Sequence, residues 1–237
     1  MNHGGMVDPS GDLFLKVIRN AWPEADYPED PSHRQIAHWT LPHTGLTDTT
    51  NEWRVANFRH FARGWRKLAV MRAAHRYTEM PFMYGALWLR AFRGDGTIDE
   101  LGLASLRVVT TAGVTDVCTR FAGTSAASIA NYKYHGFGTG GTAEASGDTA
   151  LVTELTTQYA VDSTRPTGSQ VASTNTYTSV ATLSPDSGGT IAITEHGLFS
   201  ATSSVTLLDR SLFSAVNLVA GSDSLQATYV LTLPAGS

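Results

Sequence analysis

The sequence predicts a mainly β protein: a C-terminal antiparallel β-sandwich or jelly-roll-like domain preceded by an extended, partly helical N-terminal arm. Three observations carry this expectation. Ser and Thr rise from 11 of the first 110 residues to 39 in residues 111–237, while all five Trp (Trp22, Trp39, Trp53, Trp65, Trp88) lie in the first part. The second part breaks into short apolar–polar runs separated by Gly, Ser and Asp turns at roughly 8–12-residue spacing. No strand–helix–strand alternation of a parallel sheet interrupts them. Three segments are expected: an arm over 1–84, a connecting hairpin over 85–113, and a Ser/Thr-rich β domain over 114–237.

In the arm, Asp8-Pro9-Ser10 offers a cap, and Leu13, Phe14, Val17, Ile18, Ala21 and Trp22 follow at helical spacing. Pro23, Pro28, Pro31 and Pro42 then enforce an irregular stretch, which we read as laid across a partner because Trp39 and Leu41 have nothing local to pack on. From Thr50 or Asn51 a second helix is expected over about 51–77. At ~100° per residue, Phe58, Phe61, Trp65, Leu68 and Ala69 form one apolar stripe, and Arg59, Arg63, Arg66 and Lys67 fall opposite. Residues 54–93 hold nine basic side chains and one acid, Glu79. That face is either a solvated surface of a docked helix or a contact for an acidic protein surface, with nucleic acid or anionic lipid as further possibilities.

Ala86–Phe92 reads as a strand, Gly94-Asp95-Gly96 as a hairpin turn, and Thr97–Thr111 as the returning strand in imperfect alternation. Val114–Phe121 is expected to be a further strand. The remaining strand candidates are Tyr132–Phe137, Leu151–Tyr159, Tyr177–Leu183, Thr190–Phe199, Val205–Val219 with a bend, and Ser224–Leu233. The last is the clearest, with Leu225, Ala227, Tyr229, Leu231 and Leu233 alternating against polar neighbours.

Composition excludes several classes. No apolar run approaches ~18 residues, so no transmembrane helix is expected, and the first residues lack the pattern of a secretion signal. One Cys, Cys118, permits no internal disulfide, and it is expected to be buried or half-buried. A net charge of −4 argues against a nucleic-acid coat protein.

Chemistry-bearing motifs are sparse. Gly136–Gly141 spells G-x-G-x-x-G, but a dinucleotide site needs it between a strand and a helix, so we read a turn. Glu195-His196 sits in a β segment, where neighbours point to opposite faces, and reads as a hydrogen-bonded polar pair rather than a metal site. Asp209-Arg210 reads as an ion-pairing element. His33, His38 and His43 match no metal spacing. No catalytic, cofactor or metal residue is expected.

Several phrases together are distinctive: VVTTAGVTDV from Val108, Tyr134–Gly140, Ala143–Leu151, Thr194–Ser200, Leu207–Arg210, Phe213–Asn217 and Asp223–Gln226. Over about residues 108–237 this stretch resembles a family of tailed-bacteriophage virion structural proteins. The resemblance implies a non-enzymatic virion component, assembled in the host cytoplasm, whose partners are other virion proteins; it implies no place in the particle. It is the basic arm that singles out the major capsid protein as foremost partner, with further copies of the chain itself. Combined with the basic helix, it leads us to expect a head decoration (cement) protein. Its partner-binding residues would be Trp39, Arg59, Arg63, Trp65, Arg66 and Lys67, and deletion of residues 1–80 would leave a soluble β domain. A tail, neck or fibre component is the alternative. A carbohydrate-binding module using Tyr132, Tyr134, Tyr159 and Tyr177 is a third reading, and a hydrolase the weakest.

Overall fold

The computed structural model describes residues 46–78, 82–123, 129–156, 159, 164–186, 189–203 and 206–233. The amphipathic segment expected near residue 13, the proline-rich stretch and Trp39 lie outside them.

Within the described residues the chain forms a long helix α1 (Asp48–Thr78) and strands β1 (Tyr84–Phe92) and β2 (Ile98–Val108). A short helix α2 (Thr111–Phe121) and a 3₁₀ turn (Ile129–Asn131) follow. Six strands complete it: β3 (Tyr134–Gly138), β4 (Ser169–Ser173), β5 (Thr176–Leu183), β6 (Thr190–Phe199), β7 (Leu207–Val219) and β8 (Ser224–Thr232). All pairings are antiparallel. The sheets are β2-β1-β8-β5-β4 and β3-β6-β7. Their inner faces meet through Leu87, Leu89 and Leu225 from the larger sheet and Phe137, Ile193 and Phe213 from the smaller, so the predicted sandwich is present.

The hairpin expected to be a connector is part of the sandwich, since β1 pairs with β8 along its whole length. β1 is buried on both faces. Leu87 and Leu89 face the smaller sheet, whereas Tyr84 and Ala86 face Phe61, Trp65 and Leu68 of α1. The imperfect alternation of β2 has a cause: its register against β1 shifts twice, with Gly102 at φ +82 between the shifts. The turn that closes β4 onto β5 sets Thr174 at φ 46.

Four expectations need correction. Residues 114–121 are helical. Thr110, extended at φ −65 and ψ 155, caps α2 by accepting from Gly113 N at 3.0 Å while donating to Leu207 O at 2.7 Å. That cap and the docking of Gly113 against Leu208 outweigh the β-branched composition. Cys118 is exposed, because α2 buries Gly113 and Val117 and the next residue is rotated ~100° away. Of the expected strand Leu151–Tyr159, the described residues 151–156 and 159 form none; Glu154 makes one isolated bridge to Gly138. Finally, α1 completes a core cluster over β1 and β2, so removal of residues 1–80 would bare Tyr84, Ala86 and Leu106 rather than free a finished domain.

Candidate interaction surface

α1 is capped by Thr47, not by the expected Thr50 or Asn51: Thr47 Oγ1 accepts from Thr50 N at 3.1 Å. Helical periodicity then divides its side chains between two faces. Trp53, Asn57, Phe61, Gly64, Trp65 and Leu68 point at the sandwich. The docking is stitched by polar contacts as well as apolar ones. Trp53 Nε1 donates to Ser214 O at 2.9 Å, Asn57 Nδ2 donates to Ala104 O at 2.8 Å, and Asn57 Oδ1 accepts from Ser214 N at 2.8 Å. At Gly64 the helix lies against β2 so closely that any Cβ would overlap Leu106 O and the Arg107 guanidinium.

The outward face carries Arg59, Arg63, Arg66 and Lys67, all exposed. The four predicted basic residues therefore share one surface. Trp65 does not belong to it: it is 3% exposed, with its ring 6.3 Å from that of Phe61, and it serves the core. Helical phase alone put it on the apolar stripe, so the same pattern that located the basic face already argued for a buried Trp65.

Toward the C-terminal end of α1, Arg66 and Lys67 overhang a cleft of about 510 Å³ floored by Arg107, Arg210 and Glu144. Glu144 pairs with both Arg107 and Arg63, the latter at 3.3 Å. Burial lowers the Arg107 pKa to about 10. Lys67 is held below the ordinary lysine value, first by burial and then by the neighbouring Arg107 and Arg63 charges. Cations here outnumber the acids that neutralise them, so the cleft extends the positive field of the helix face.

The polar motifs of the β domain point inward. Glu195 and His196 are both fully buried, on opposite sides of β6. Glu195 accepts from Gly140 N, Thr153 N and Val152 N at 3.1, 2.8 and 3.1 Å and pairs with Arg210 on the adjacent strand at 2.8 Å. The glycine run thus wraps a carboxylate of the protein's own. A Cβ at Gly138 or Gly140 would collide with Glu195, which explains the spacing without a nucleotide. His196 Nε2 lies 2.9 Å from His135 Nδ1, and His135 Nε2 lies 2.8 Å from Ser179 Oγ on β5. Burial lowers the His135 pKa to about 3, and burial with the neighbouring imidazole holds that of His196 well below the ordinary imidazole value, so both rings are neutral at pH 7. Asp209, opposite Arg107 in charge and wholly enclosed, is pushed up to about 7 by burial.

Of the tyrosines considered as glycan platforms, Tyr132 and Tyr159 are 2% exposed. Tyr132 donates to Asp116, and Tyr159 donates to Glu154 at 3.0 Å. Neither presents a ring face. No group of three or more His, Cys, Asp or Glu side chains able to hold a metal ion occurs among the described residues. No helix among them is long and apolar enough to cross a membrane. In comparisons with known proteins, no family model matches the chain and no curated protein matches it.

Proposed function

We propose that this chain is a non-enzymatic structural protein of a tailed-bacteriophage virion, a head decoration (cement) protein that grips an acidic patch on the shell through the outer face of α1. The sequence resemblance over residues 108–237 supports the virion setting. One observation carries the docking mode. α1 has seven basic residues after Trp53 and no acid, while its inner face is bolted to the sandwich by Asn57, Gly64 and Trp65. A charged face on a rigid seat loses little entropy on binding, and its field steers association with an oppositely charged surface.

The reading also explains the inward polar motifs. Glu195, Arg210, His135 and His196 serve internal wiring, in keeping with a rigid presenting block.

The test is reversal of Arg59, Arg66 and Lys67 to Glu in the full chain, sparing Arg63 because it pairs with Glu144. Added to particles lacking the protein, the wild type is expected to bind in proportion to the shell's capsomers and the triple variant at least ~10-fold more weakly, with the difference shrinking at high salt. Equal binding by both would overturn the proposal. A few copies per particle, measured by quantitative mass spectrometry, would place the protein in the tail, neck or fibre instead.

A further inference from the structure

The sandwich has four sheet edges, and three are occupied. Along β7, Thr110 N donates to Leu208 O at 2.9 Å, Arg107 Nη2 to Leu212 O at 3.2 Å and Trp53 Nε1 to Ser214 O. Carbonyls of β2 accept from Arg54 and Asn57 of α1. The edge of β3 is lined by the backbone of two loops, with Leu155 N on Phe137 O and His135 N on Pro166 O, both at 2.9 Å.

β4 is different. It pairs with β5 on one side, and among the described residues no group bonds to its backbone along the other side, where the one contact is from the Gln170 side chain, whose Nε2 donates to Ala130 O at 2.9 Å. Natural sheets guard such an edge with Lys, Pro or a bulge. Ser169-Gln170-Val171-Ala172-Ser173 has none, and Val171 is 65% exposed. The same edge opens onto an apolar groove of about 420 Å³, walled by Tyr132, Tyr177, Leu208 and Leu231, with Phe121, 78% exposed, standing at its rim. Exposed apolar surface of this kind marks a protein contact.

We propose that β4 is the self-association edge of this protein. Two copies pair their β4 strands antiparallel about a two-fold axis near Val171, joining the two larger sheets and closing the two grooves against each other. Charge selects a second copy as the occupant. A two-fold contact sets each charge near its own twin, and from Pro166 to Pro185 there is no charged residue at all. Ions beside the lining residues are spent internally: Arg120, next to Phe121, pairs with Asp116, Lys133, next to Tyr132, lies over the Tyr134 ring, and Arg165, next to Pro166, pairs with Glu154. The strand also suits antiparallel self-pairing, with small polar residues at both ends and Val171 at the centre. This inference goes beyond the docking role of α1 and does not depend on it.

The test is sedimentation of the full chain across micromolar concentrations. A concentration-dependent dimer is expected, with Val171→Lys and Phe121→Glu each weakening it at least ~10-fold while leaving the melting temperature nearly unchanged, since both side chains are exposed. In a Cys118→Ser background, Val171→Cys is expected to form a disulfide-linked dimer under mild oxidation, because central residues of a two-fold antiparallel pair face each other. A wild type that stays monomeric would overturn the proposal and leave another protein, or residues 1–45 of the same chain, as the cover of the groove. A dimer indifferent to both charge variants and refractory to the crosslink would overturn it too. Charge reversal on α1 leaves the dimer intact, which separates this outcome from failure of the shell-docking reading.

Discussion

Among the described residues, α1 and the β4–β5 hairpin each turn a surface outward, and the two are made of opposite materials. The helix is crowded with cations and seated on the sandwich by hydrogen bonds and close packing. The hairpin carries no charge from Pro166 to Pro185 and is tied to the smaller sheet through Ser179, His135 and His196. Charge recognises what is unlike, because a cationic face repels its own copy. A neutral strand edge with unpaired backbone recognises what is like. One chain can thereby carry two contacts that do not compete, the first for an acidic partner and the second for itself.

The comparison breaks most readily in acid. His135, His196 and His60 have folded pKa values below the ordinary imidazole value, to about 3 for His135 and about 4 for His60. Their stabilising neutrality is therefore complete above about pH 6.5 and is lost as pH falls toward those values. Asp209, raised to about 7, runs the other way, since only its unfolded form ionises between about pH 4 and 7. Three imidazoles against one carboxyl leave a net uptake of protons on unfolding, so stability falls as pH drops from about 6.5 toward 4.5. Chemical denaturation across that range is expected to show a steep fall, and His196→Gln is expected to flatten it by about one proton.

Next in size, the seat of α1 can be broken alone. Gly64→Val drives two methyl groups into the β2 backbone and is expected to cost ~3 kcal/mol, read as a lowered melting temperature. Asn57→Leu, which deprives Ala104 O and Ser214 N of their partner, is expected to cost ~2 kcal/mol. The smallest stability effect sharpens the contrast. Reversing Arg59, Arg66 and Lys67 is expected to shift stability by no more than ~0.5 kcal/mol while weakening shell binding at least ~10-fold, because exposed charges contribute little to the fold.

Much of this was legible in advance, for local reasons. The span of β6 follows from its residues alone, and that of β8 to within one residue, because alternation and turn chemistry are properties of neighbours in the chain. Helical phase separated the buried Phe61 and Leu68 of α1 from the exposed Arg59 and Arg66. β4 was missed because Ser-Gln-Val-Ala-Ser carries no apolar–polar alternation, and α2 was missed because its composition favours a strand while its cap bonds to Leu207, far along the chain. Trp65 was misassigned to a partner through its residue type, although its position already placed it inward.

The sequence by itself determined the two-sheet class and the basic, acid-free face of the helix, because composition and periodicity are one-dimensional quantities. Only the tertiary structure decided where those parts are closed and where they remain open. Glu195 fills the glycine loop from 55 residues away, Asn57 caps an edge of β7 from 157 residues away, and among the described residues no such side chain bonds to the outer backbone edge of β4. Satisfaction of backbone hydrogen bonds is a matter of which distant residues arrive, and it is settled by folding.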